Sequence, residues 1–344
     1  MIGYYIHHVG RGHLQQAQCI VAQLAGDVTG LSSLPEPDGW PGRWVTLPRD
    51  DTVRVPADPR AGGQLHWAPL GDPGLRSRMA ALAAWIQAAA PAALMVDVSV
   101  EVSALARLMG VPVVMPLLPG SRADPAHALG YSLADALLAP WPASISRALL
   151  PDVRPWCGKI VHTGAFSRFD QRAAEPADCS RGARRRVLVL AGRGGSGITA
   201  DDLRAAAGST HGWTWDALGG ETGRWADDPW PALCRADVVV THAGLSAIAE
   251  VAAARKPAVI VPQPRPHEEQ VTTARALATA GVAVAVSSWP RAGCWDAVLE
   301  AALKCGGSGW RTWSAGNGAR RAAELLELVA GRLTGSAARC AAPS

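Results

Sequence analysis

Short unbroken apolar runs alternate with stretches of helical spacing along this chain. Apolar runs at 2–6, 92–96, 111–115 and 186–190, with others near 238, 258 and 282, read as buried strands. Segments at 14–24, 100–109 and 245–255 carry helix-like patterns between them. Strand and helix in alternation predict a doubly wound α/β architecture with parallel sheets. Residues 35–73 are rich in Pro, Gly and Asp and hold little period, so long loops and short strands are expected there. Each half opens on a strand, a glycine-bearing turn and a helix. Two Rossmann-like domains facing a central cleft are therefore expected, since ligands of open α/β sheets bind beyond the strand C-termini. The expected boundaries are 1–163 and 164–315, with the linker within 163–178. An amphipathic stretch at 319–333 reads as a final helix, 316–335 with its approach, and 336–344 as a disordered tail.

Composition narrows the picture. A length of 344 residues suits two ordinary domains, and 49% hydrophobic residues suffice for packed cores. A net charge of +4 is no nucleic-acid footprint. The seven cysteines are scattered with no C-x-x-C, which indicates neither a zinc site nor a disulfide framework and fits a reduced, cytoplasmic protein. The chain starts without a basic n-region or a long apolar core, so no signal peptide is read. The most apolar stretch, 79–96, is broken by Gln87 and Pro91 and reads as helix, break and strand, not as a membrane span. Mild positive charge and apolar loops permit peripheral membrane contact without demanding it.

Residues 238–270 carry the most chemistry. The strand near 238–240 stops at Thr241-His242-Ala243-Gly244, where a helix begins. Unpaired N–H groups and the helix dipole make such a junction an anion site. His242 is placed to bond a phosphate, and Gly244 allows close approach. Glu250, two turns along the helix, suits the vicinal diol of a ribose. After Lys256-Pro257 and a second apolar strand, Glu269 and Gln270 open the next helix with groups suited to sugar hydroxyls. Upstream, Gly194, Gly195 and Ser196 follow a strand and precede a helix, a place for backbone contact with a diphosphate. That loop misses G-x-G-x-x-G, and no Gly-Lys-Ser/Thr follows, so neither a nicotinamide nor a Walker site is read and no cofactor is expected.

The pattern T-H-x-G-x-x-x-x-x-E, then K-P-x-V-x-V-P, then E-Q resembles the nucleotide-sugar signature of GT-B glycosyltransferases, in particular the C-terminal domain of the MurG-like glycosyltransferase family 28. The likeness is good over roughly a hundred residues and loose elsewhere. One departure stands out. Related signatures often carry Ser or Thr where this chain has Ala247, leaving Ser246 one position earlier to meet the diphosphate. The first-domain loop containing Gly10, Arg11, Gly12 and His13 resembles the glycine-rich acceptor loop of GT-B proteins. The resemblance implies that His13 is the base for an acceptor hydroxyl, with Asp97, at a strand end, orienting it. A helix-start position should lower the His13 pKa. Asp97 reads equally as a helix N-cap, a role Ser99 could share, and Glu101 is a weaker candidate partner for the base. At least one of His7 and His8 should be packing. Trp225 and Trp230 are alternative base-stacking aromatics, and His66, Trp67 and 122–127 fall where an acceptor would bind. The resemblance also implies a last helix crossing back onto the first domain.

No Asp-x-Asp occurs, so no metal is expected, and helix dipoles and hydrogen bonds would relieve the diphosphate charge instead. The expected activity is inverting, metal-independent transfer from a UDP- or dTDP-linked sugar. The acceptor stays open among small-molecule, lipid-linked and glycan hydroxyls. A non-catalytic GT-B auxiliary protein and a nucleotide-sugar epimerase of the same fold are the alternatives.

Overall fold

The computed structural model describes residues 1–152, 154–172, 184–192, 197–220 and 223–340, with backbone alone at Arg11 and 333–340. Two parallel sheets form its frame. The first contains β1 (Ile2–Tyr5), β2 (Val28–Ser32), β3 (Arg43–Thr46), β4 (Ala93–Val96), β5 (Val113–Pro116), β6 (Ala136–Ala139) and β7 (Ile160–His162). Helices α1 (Arg11–Val21), α2 (Pro73–Ala89), α3 (Val100–Leu108), α4 (Pro125–Leu133) and α5 (Ser146–Leu149) connect them. The second sheet contains β8 (Arg185–Leu190), β9 (Trp213–Leu218), β10 (Val238–Thr241), β11 (Ala258–Ile260) and β12 (Val284–Ala285). Its helices are α6 (Ala200–Ser209), α7 (Trp230–Arg235), α8 (Leu245–Ala254), α9 (Glu269–Thr279) and α10 (Trp295–Cys305), followed by α11 (Trp310–Trp313) and α12 (Gly318–Cys340).

Strand order is β3-β2-β1-β4-β5-β6-β7 in the first sheet and β12-β11-β10-β8-β9 in the second, with every pairing parallel. In the first sheet the connections diverge between β1 and β4, in the second between β8 and β10. These switch points open crevices at the strand C-termini. The loop after β1 and Asp97 after β4 share the first crevice; the loops after β8 and β10 share the second.

The helices have local causes. Asp72 caps α2 through the Leu75 N–H, Asp124 caps α4 through the His127 N–H, and Thr199 with Asp202 forms a capping box on α6. α12 buries Ala322, Ala323, Leu325, Leu326 and Val329 in a cluster with Ile2, Tyr4, Met95 and Val114, so the last helix lies on the first sheet. Burial of side chains such as Leu326 or Val329 is worth roughly 1.5–3 kcal/mol each. The helix also continues across 336–340, where the sequence suggested a tail; residues 341–344 lie outside the described ones. Among the described residues no helix is long and apolar enough to cross a membrane.

Candidate active site

A cleft of about 690 Å³ separates the sheets and is lined from both. From the first come His8, Gly10, Gly12 and His13; from the second come His242, Gly244, Ser246, Glu250, Glu269 and Gln270. Gly194, Gly195 and Ser196 lie outside the described residues, as does the side chain of Arg11.

His13 sits in the first turn of α1. Its Nδ1 is 2.7 Å from Asp97 Oδ2, and Asp97 is buried. Among the described residues Asp97 Oδ2 has no well-aligned hydrogen-bond donor, although it sits at ion-pair distance. Burial alone would pull the His13 pKa down, but the charge of Asp97, its hydrogen-bonding contact and the more distant Glu269 overcome this and raise it. The expected lowering by the helix start is thus overturned: a carboxylate in contact outweighs a partial helix charge. Asp97 is not the cap of α3 either. Ser99 caps it through the Val102 N–H, and Val98 between them is held at φ 68°. A β-branched residue in the left-handed region is strained, and here it turns the chain sharply after Asp97. Glu101 does not serve the base. Its Oε1 accepts from the His66 and Trp67 N–H groups at 2.7 and 2.9 Å, pinning their loop. His7 packs 5.6 Å from the His13 ring, centroid to centroid, and burial lowers its pKa to about 4, so it stays neutral.

Across the cleft, α8 starts at Gly244 with no side-chain cap, leaving first-turn N–H groups directed to the cleft end of β10. Ser246 lies against Gly12; a Cβ on Gly12 would stand 2.9 Å from Ser246 Oγ, so the first-domain loop and the start of α8 meet at this glycine. His242 Nδ1 donates to the Val261 carbonyl at 2.8 Å, and among the described residues its Nε2 has no hydrogen-bond partner. Burial lowers the His242 pKa. The neutral ring therefore offers Nε2 as an acceptor, and it meets a phosphate oxygen as a donor only when protonated.

Glu250 is only 9% exposed and lines the cleft. Its Oε1 accepts from Arg168 Nε at 3.0 Å, a linker residue the sequence did not single out; Arg168 also donates to the Asp227 carbonyl at 2.8 Å. Burial raises the Glu250 pKa, with Arg168 opposing. Glu269 is likewise raised by burial against the pull of Arg122, which reaches from the first domain to its Oε2 at 3.3 Å. The Gln270 oxygen is committed to the backbone, accepting from the Gln263 N–H at 2.9 Å and the Ala243 N–H at 3.3 Å. That leaves its amide NH₂ as the group a ligand can meet. Trp225 is 42% exposed on the cleft, whereas Trp230 is 2% exposed and packs on Phe169, which assigns Trp230 to the core.

Arg122 belongs to an interlock between domains. Its NH1 bonds His127 Nε2 at 3.1 Å, and His127 Nδ1 contacts Asp124 at 2.6 Å. The His127 ring therefore carries its proton on Nδ1 and is held neutral, its pKa pulled to about 4 by burial. His66, Asp124 and His127 are close enough to suggest a metal site. With Arg122 donating to Nε2 of His127 and Asp124 accepting from its Nδ1–H, hydrogen bonds already satisfy that ring. Ser121 N–H donates to the His267 carbonyl at 3.0 Å, joining the first-domain loop to the turn before α9.

Residues 224–289 match the glycosyltransferase family 28 C-terminal domain. Among solved structures, the chain is similar to the glycotransferase of kitacinnamycin (19% identity, 95% of this chain and 98% of that one, TM-score 0.66). It is also similar to MurG of Acinetobacter baumannii (15% identity, 95% and 99% covered, TM-score 0.63). The calicheamicin glycosyltransferase CalG4 is a third (16% identity, 96% and 98% covered, TM-score 0.63). No curated protein matches the sequence. The fold is the GT-B architecture of MurG-like glycosyltransferases, and the segment similar to the family 28 C-terminal domain lies in its second half.

Proposed function

We propose that this chain is an inverting, metal-independent glycosyltransferase that moves a sugar from a UDP- or dTDP-linked donor to an acceptor hydroxyl. One observation carries the reading. The His13–Asp97 pair at the first switch point faces Glu250, Glu269 and the uncapped start of α8 at the second, across one cleft. The diphosphate would rest on the N–H groups at the start of α8, with a protonated His242 beside it. Glu250, steadied by Arg168, would accept hydrogen bonds from the ribose. Trp225 offers a face to the base, and Glu269 with the Gln270 amide NH₂ offers groups to the sugar. With Ala247 in place of a hydroxyl, the phosphate contact rests on backbone amides and Ser246.

His13 would take the proton of the acceptor hydroxyl as its oxygen bonds to the anomeric carbon from the face opposite the nucleotide. The bond from that carbon to the phosphate oxygen breaks, and its electron pair leaves with the diphosphate. Asp97 steadies the imidazolium that forms. Calorimetry with UDP and dTDP tests the donor half. Binding by the wild-type chain, weakened about tenfold or more in Glu250→Gln, supports the reading, since hydrogen bonds to a charged group are worth about 1.5–3 kcal/mol. Equal affinity in the variant removes the ribose role. Donor converted to an isomeric sugar nucleotide without acceptor would mark an epimerase instead.

A further inference from the structure

A second cavity, of about 280 Å³, opens within the first domain and shares His8 and Val9 with the cleft. Its apolar lining is formed by Trp67, Leu75, Met79 and Val98. Asp50, Asp51 and Glu101 also line it, and among the described residues its lining contains no lysine or arginine. The nearby cations are already engaged. Buried Arg78 bonds Tyr5 Oη at 2.6 Å and stands 3.4 Å from Asp50, while Arg49 pairs with Asp51. Glu101 is neutralised in part by the backbone N–H groups it holds.

His8 points to a ligand. Its side chain is 7% exposed, and among the described residues neither ring nitrogen has a hydrogen-bond partner. The nearest carboxylate oxygens are 3.9 Å away, beyond hydrogen-bond reach. Burial lowers the pKa of His8, as it does that of His7, so both rings are neutral. An unpartnered buried imidazole is costly, and a ligand hydroxyl placed there would satisfy it. Trp67 offers a flat apolar face. Pockets for drug-sized ligands run from about 300 Å³ upward, so this one suits two or three fused rings.

Resting on the transferase reading, we propose that this cavity is the acceptor subsite and that the acceptor is an uncharged, hydroxyl-bearing ring compound that carries no phosphate. The arginines beside the cavity are already matched to Asp50 and Asp51, so a desolvated phosphate there would have no counter-charge of its own. Lipid diphosphates and nucleotides are thereby disfavoured at this position. His8, reading one hydroxyl, would aim another toward His13.

A matched pair of probes, 2-naphthol and 2-naphthyl phosphate, tests this by calorimetry on the full chain. 2-Naphthol is expected to bind about tenfold tighter or more than its phosphate, the effect of an unmatched charge in a poorly solvated site. Trp67→Ala should weaken 2-naphthol about tenfold, and Leu75→Lys should narrow or invert the preference. UDP and dTDP titrations on the same variants report whether they remain folded, and Leu75→Lys keeps the test open if Trp67→Ala does not fold. Equal or tighter binding of the phosphate, or unchanged 2-naphthol affinity in a folded Trp67→Ala, overturns the proposal. Absence of UDP and dTDP binding to the wild-type chain would instead sink the transferase reading, while the naphthol comparison still decides what the cavity prefers.

Discussion

As the proposed base, His13 must be unprotonated to act, yet its pKa is raised by its neighbour, and this sets a pH dependence with a defined sign. Burial pushes the His13 pKa down and Asp97 lifts it above the ordinary imidazole value. Turnover should therefore climb as pH rises through that raised pKa. Asp97→Asn removes the lift, so the acidic limb of the kcat profile should move to lower pH while kcat itself falls about a hundredfold or more. A limb that stays in place would show that Asp97 does not tune His13. The same pair adds to folding stability below the unfolded-state imidazole pKa, and that part is lost as pH rises through the higher folded-state one. His242 carries a second sign. As its pKa is lowered and phosphate contact needs the protonated ring, UDP or dTDP affinity should strengthen as pH falls, an effect absent in His242→Ala by titration at two pH values. At this scale the sequence named the His13–Asp97 pair, which the structure brings to 2.7 Å, but not the arginines that meet Glu250 and Glu269. His13, Asp97, Glu250 and Glu269 do line or adjoin one cleft. Arg122 and Arg168 carried no local pattern. Their roles come from contacts 147 and 82 residues away in the chain, which no spacing reveals.

The interlock between the loop at 119–127 and the turn before α9 ties an element of each domain. Gly120, at φ +104°, lies so close to His267 that a Cβ would stand 2.1 Å from its carbonyl oxygen. His267 and Glu268 both hold positive φ, at 60° and 55°, which sets the start of α9 and hence Glu269. Gly120→Ala should lower stability by about 1–3 kcal/mol, from strain and clash together, and be visible as a lower Tm. The donor KM should rise while UDP affinity holds, because the sugar end depends on this turn and the nucleotide end does not. An unchanged Tm and KM would mean that the two loops do not lock. The elements themselves were legible where apolar runs were unbroken, as at β1, β4, β8 and β10. β9, Trp213–Leu218, was not read because its middle residues are exposed or half-buried and Asp216 interrupts the run. β2 and β3 include Gly30 and Arg43, which weaken a strand pattern even though parallel neighbours stabilise it.

Over the whole molecule, two switch points are held face to face, and α12 returns from the second domain to seal the first sheet. A chain ending at Asn317 would expose the surface covered by Leu325, Leu326 and Val329, and it should unfold at a markedly lower temperature or aggregate. A Tm within a degree or two of the full chain would contradict that packing. Sequence alternation was enough for the α/β class and for two domains. Where the domains meet was not legible, since Gly12 against Ser246 and Gly120 against His267 are contacts between distant loops. The central claim is that His13 is the base of a sugar transfer whose donor is gripped elsewhere. It is tested most directly by His13→Ala, with nucleotide-sugar turnover and UDP or dTDP affinity measured on the same preparation. Loss of turnover by about a hundredfold or more with nucleotide affinity retained is the expected result. Full turnover in that variant would contradict the account.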